Sequence, residues 1–123
     1  MIEGIVEHGH PIVPVTFHRF SLPDLEIDFV VDTGFVGALT LPEVIVAELE
    51  LSFNTHIPAT LADDRVVQVP MYFANILWHR VLVEVDVLAM GTRPLLGMAM
   101  MDENRLTINC SHGGAISIEV GYR

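Results

Sequence analysis

A carboxylate, a hydroxyl and a glycine stand together at Asp32-Thr33-Gly34, directly after the apolar run Phe29-Val30-Val31 and before Phe35-Val36-Gly37-Ala38-Leu39-Thr40-Leu41-Pro42. The run reads as a buried strand, whereas Asp is depleted in strands and seldom fully buried without a partner. An Asp at the mouth of such a strand either closes a turn or is held there for chemistry, and Gly34 permits the tight turn or close backbone approach that either role needs. Peptide hydrolysis by carboxylates requires two of them sharing one proton. The ionised one deprotonates a water; the protonated one donates a hydrogen bond to the scissile carbonyl. The chain holds one Asp-Thr-Gly, so a monomer would carry half a site. A complete one requires a twofold dimer that sets Asp32 beside its mate.

Other constellations are thinner. His8-Gly9-His10, with His18 nearby, lacks an identifiable third ligand, and exposed or satisfied histidines are the better reading. Asp63-Asp64 and Asp86 do not have calcium-loop spacing. Gly34-Phe35-Val36-Gly37 lacks the lysine and glycine pattern of a phosphate loop. Ser111-His112 has no partner Asp at a recognisable distance. Cys110, the single cysteine, lies in the strand-like run Leu106-Thr107-Ile108-Asn109-Cys110 and reads as a small core residue. Neither a metal nor another cofactor is expected.

The elements that must position Asp32 are mostly strands. Ile12–Phe17 reads as one, with Pro14 placing it near an edge or bulge. Ser21-Leu22-Pro23-Asp24 is a turn, and Leu25–Val31 is the strand that delivers Asp32. Pro42–Leu51 is the one clear helix, with Pro at its first position, Glu43 in its first turn, and Val44, Ile45, Ala47 and Leu49 as its apolar face. Ile57–Leu61 and Val66–Ile76 flank the polar hairpin tip Ala62-Asp63-Asp64-Arg65. Val81–Leu88 alternates cleanly; Met98–Asn104 reads as a short helix; Arg105–Cys110 and Ala115–Val120 read as a closing hairpin. Many short strands with one or two short helices predict a mainly β, small closed β-barrel-like domain spanning residues 1–123.

Composition narrows the partners. Six Arg, no Lys and sixteen Asp and Glu give a net charge of −10, which argues against nucleic acid and anionic membranes. No apolar stretch approaches the roughly 18 residues needed to cross a bilayer. Met1-Ile2-Glu3-Gly4 lacks the basic region of a signal peptide, and the expected compartment is the cytoplasm. A hydrophobic content of 51% in 123 residues is high for a soluble monomer and predicts surface buried against a second copy.

The segment Ile27–Pro42, followed about sixty residues later by Leu95-Leu96-Gly97, resembles the retropepsin-like aspartic proteases, specifically their small bacterial and archaeal single-domain members. The resemblance spans Val13 to Val120 and implies the retropepsin fold and a homodimeric aspartic endopeptidase. It implies Asp32 as the catalytic residue, with Thr33 locking the two active-site loops together and Gly34 letting backbone approach the dyad. Leu96 and Gly97 would support the loop, and Asp63, Asp64 and Arg65 would form the tip of a flap over a bound peptide. The terminal strands would interleave with those of the mate. Phe35 stands where retroviral members carry Ala or Ser, and the flap tip has no Gly. The expected substrate is an extended peptide with apolar residues around the cleaved bond. The alternative is a non-catalytic domain of this fold used for dimerisation or peptide binding.

Overall fold

The computed structural model describes residues 1–121. Its strands are β1 (Ile2–Glu7), β2 (His10–His18), β3 (Leu25–Val31), β4 (Leu39–Leu41), β5 (Ser52–Thr60), β6 (Val66–Trp78), β7 (Val81–Ala89), β8 (Leu95–Leu96), β9 (Asn104–Ile108) and β10 (Ala115–Val120). A short helix, α1 (Glu43–Leu49), follows β4, and a 3-10 turn at Met98–Met101 follows β8. The sheet order is β5-β6-β7-β4-β8-β3-β2-β1-β10-β9, and β6 also pairs with β2. Strands β2, β3, β8, β4, β7 and β6 therefore return on themselves as a ring. Its closure depends on β6, which shares one edge between two neighbours, β5 as far as Phe73 and β2 from Asn75.

Period-two patterning fills the ring. Val13, Val15 and Phe17 of β2 point inward with Phe29 and Val31 of β3, and Phe17 stacks on Phe29 at 5.9 Å between centroids. Leu39, Leu41, Ile76, Val87, Leu96, Ile116 and Ile118 complete a single buried cluster. Pro14 falls at Val13–Val15, where β1 has left β2 and β6 has not yet joined, so its missing N–H costs no ladder bond on that side. Pro58 lies in β5, an edge strand.

Several elements depart from the sequence reading. The strand expected at Ile57–Leu61 extends back to Ser52, and the expected helix from Met98 is only a 3-10 turn. The helix buries Val46 and Leu49, one turn apart, while Val44 is 70% exposed and Ala47 is also exposed. The apolar face expected from Val44 and Ala47 is thus corrected. The amides of both Ile45 and Val46 close on the Pro42 carbonyl at the start of the helix. Cys110 is exposed, not part of the core. β9 ends at Ile108 because the Asn109 side chain caps the Ser111 amide at 3.2 Å and turns the chain outward. The terminal strands pair with each other: β10 lies between β1 and β9 in the same chain, so both its edges are occupied. The strands at the two ends of the sheet order are β5 and β9. Among the described residues, no helix is long and apolar enough to cross a membrane.

Candidate active site

Asp32 leaves β3 at the point where the chain must pass over another strand. β8 runs parallel to β3 and antiparallel to β4, and it lies between them. The connection from Asp32 to Ala38 therefore arches across the C-terminal end of β8. Backbone hydrogen bonds fix both feet of this arch. Val30 N donates to Pro94 O at 3.0 Å and Asp32 N donates to Leu96 O at 2.9 Å, which continues the β3–β8 ladder through Asp32 itself. On the return side Gly97 N donates to Ala38 O at 2.8 Å, Met98 N to Phe35 O at 2.8 Å and Ala99 N to Gly37 O at 3.2 Å.

Within the arch, Asp32 holds its own turn. Its Oδ1 accepts the Gly34 amide at 2.9 Å, and its carbonyl accepts the Phe35 amide at 3.2 Å. Asp32 is half-buried, while Thr33 and Gly34 are exposed beside it. One carboxylate oxygen is thus positioned by the backbone, and the arrangement can present the other to a water or a neighbouring carboxylate.

The glycines make the arch possible. A Cβ on Gly97 would lie 2.2 Å from Gly37 O and 2.7 Å from Phe35 O, so only hydrogen fits under the loop. The Phe35 ring packs against Gly37 and Gly97, within 2.5 Å of where a Cβ on either would stand. This bulky residue is half-buried beneath the arch, and the two glycines supply its space. Leu96 is fully buried below Asp32. The structure therefore brings Asp32, Thr33, Gly34, Leu96 and Gly97 together.

It does not join the hairpin tip to them by any hydrogen bond among the described residues. Asp63, Asp64 and Arg65 lie between β5 and β6 and interact with each other. Arg65 Nε donates to Asp63 Oδ2 at 2.6 Å, Asp63 Oδ1 accepts the Arg65 amide at 3.2 Å, and Leu61 N donates to Arg65 O at 2.8 Å. The turn forms without glycine because Asp64 takes the left-handed conformation, φ 65°, which Asp tolerates.

Three of the six histidines have separate hydrogen-bond partners: His10 is bonded to Arg93, His18 to Asp24, and His79 to Asn104. Among the described residues, no group of three His, Cys, Asp or Glu side chains is placed to hold a metal ion.

Sequence reasoning gave Thr40 no role. It is 2% exposed, and its Oγ1 accepts the Leu95 amide at 3.2 Å, tying β4 to β8 directly below the arch. Its signal was a lone hydroxyl between Leu39 and Leu41, because a polar atom in a buried strand needs a partner. No protein-family model matches this chain, and no curated protein matches it.

Proposed function

We propose that the protein is a homodimeric aspartic endopeptidase of the retropepsin-like type, with Asp32 as its catalytic residue. The observation that carries this reading is the clamped arch. A half-buried carboxylate at the end of β3 has one oxygen fixed by the Gly34 amide, and the loop bearing it is bolted to β8 and the following 3-10 turn from both sides. The same side-chain bond closes turns at Asp63 and Asn109; the Asp32 loop differs in being held by backbone bonds to β8 and the 3-10 turn as well, and such rigidity suits a catalytic carboxylate.

Two copies related by a twofold axis would set the Asp32 side chains against a shared water. The ionised carboxylate takes a proton from the water as its oxygen attacks the scissile carbonyl. The protonated carboxylate donates its hydrogen bond to the carbonyl oxygen, where negative charge develops. Collapse of the tetrahedral intermediate returns a proton to the leaving amine. Apolar side chains suited to burial in such a dimer flank the loop: Val36 is 84% exposed and Met98 is 47% exposed.

The second reading is a domain of the same fold that binds peptides without cutting them. It is favoured by the hairpin tip, which the Arg65–Asp63 ion pair holds and which has no glycine hinge. Asp32→Asn separates the two. It preserves side-chain volume and removes the ionisable group, so cleavage of peptide substrates should fall to background while sedimentation and circular dichroism stay unchanged. Cleavage that survives the substitution excludes Asp32 as the catalytic residue.

A further inference from the structure

The face of the sheet that carries Asp32 also carries a cation. Phe29 and Val31 are buried on the inner side of β3, so Asp28, Val30 and Asp32 share the outer side. On β2, Val13 and Val15 are buried, which puts Ile12 and His10 on that same outer face. The β2–β3 register pairs Ile12 with Val30; continued by two residues, it brings His10 level with Asp32. On the other side Leu95 pairs with Val30, and Leu96 is buried inward. Arg93, two residues before Leu95, has its Nη1 2.9 Å from His10 Nε2. Since β3 lies between β2 and β8, the arginine side chain spans β3 on the Asp32 face.

This contact keeps the positive charge available. Arginine has donors only, so in this contact the guanidinium donates and the His10 ring accepts. The guanidinium is thus oriented without being neutralised. The ion pairs among the described residues are His18–Asp24 and Arg65–Asp63, and neither involves Arg93. The carboxylates that register brings to this side are Asp32 itself, level with His10, Glu7, opposite His10, and Asp28, two residues before Val30; all three lie beyond ion-pair distance from Arg93. In a chain with sixteen acidic residues, an arginine whose side-chain contact is an imidazole and not a carboxylate stands out. Half-buried Ile12, Val30 and Leu95 pair side by side on this face, one level below His10 and Asp32 and one level above Arg93 in the register.

We propose that Arg93, oriented by His10, is a carboxylate-recognising wall of the groove beside Asp32, and that the preferred substrate carries Asp or Glu next to its scissile bond. This rests on the reading of Asp32 as the catalytic residue. It narrows the apolar preference expected from the sequence, because the guanidinium's remaining donors match a carboxylate in two-point geometry while its stem and these apolar side chains accept the methylenes. A twofold dimer repeats the wall on both sides of the bond.

The test measures binding apart from turnover. Fluorescein-labelled extended peptides, identical except for Glu, Gln, Leu or Lys beside the central bond, are titrated by anisotropy against the full chain carrying Asp32→Asn. The Glu peptide should bind about tenfold tighter than its Gln isostere, as one charge-assisted contact gives. Adding Arg93→Gln should erase that difference, and adding Arg93→Glu should turn the preference toward Lys, with circular dichroism confirming that each variant is folded. Equal binding of Glu and Gln, a preference that survives Arg93→Gln, or no binding of any peptide overturns the proposal. Retained Glu preference in a wild-type protein that cleaves none of the four would uphold the wall and refute the protease.

Discussion

Gly97 lies so close beneath Gly37 that a Cβ on it would stand 2.2 Å from the Gly37 carbonyl oxygen. The backbone on both sides is locked, since Gly97 N bonds Ala38 O, Met98 N bonds Phe35 O and Ala99 N bonds Gly37 O. Neither strand end can retreat without breaking one of these bonds. Gly97→Ala should therefore destabilise the fold by about 1–3 kcal/mol, the usual cost of overpacking a filled site, and displace the Asp32 loop as well. Denaturant unfolding and peptide cleavage should both record the loss. An unchanged unfolding midpoint would show that the arch is looser than these distances require.

Thr40 acts on the same loop from below. Thr40→Val keeps the shape but removes the acceptor for the Leu95 amide, leaving a partly buried N–H without its partner. The expected cost is about 1–3 kcal/mol, and Thr40→Ser should restore most of it by returning the hydroxyl. A Val variant as stable as the parent would mean that the Leu95 amide finds another acceptor.

These two residues show where the sequence was legible and where it stopped. Asp32-Thr33-Gly34 after Phe29-Val30-Val31, and Leu95-Leu96-Gly97, pointed to segments that do meet, because apolar runs and glycines report burial and close approach locally. The mainly β character followed from period two for the same reason. Insertion of β8 between β3 and β4 is a long-range pairing, and a two-residue strand has no periodicity to read. The helix buries Val46 and Leu49 and not Val44 and Ala47, because its docking against the sheet selects the face, a long-range contact that composition does not carry. Cys110 follows a β-branched run and reads as its continuation in sequence; the Asn109 side chain ends that strand instead. His10 and Arg93 are 83 positions apart, and only the sheet order brings them together.

The exposure of Cys110 has a practical consequence. An accessible thiol in the turn after β9 should react with a maleimide in the native protein, at a rate close to that of the unfolded chain. The proposed mechanism uses no thiol, so full labelling should leave peptide cleavage intact. Loss of activity on labelling, without dissociation or unfolding, would bring the cysteine into the mechanism and displace the carboxylate pair.

The most direct test of the half-site is stoichiometric. If each active site draws one Asp32 from each protomer, a mixed dimer of wild type and Asp32→Asn has a single carboxylate and cannot both deprotonate a water and donate a proton. Equal amounts allowed to exchange should give about one quarter wild-type homodimers, one half mixed dimers and one quarter doubly substituted dimers. Cleavage should then fall to about half of what the same quantity of wild-type protein gives alone, because the mixed dimers are dead. Sites contained within one protomer would give no loss on mixing. Val36→Glu provides the control: this residue projects from the Asp32 loop at 84% exposure, so a charge there should weaken the dimer without unfolding the chain. A charged pair facing across the twofold axis should make the loss of activity follow the loss of dimer in sedimentation, and raising the protein concentration should recover both together. Activity that is independent of concentration in this variant, with a monomeric sedimentation profile, would show that Asp32 works without its mate.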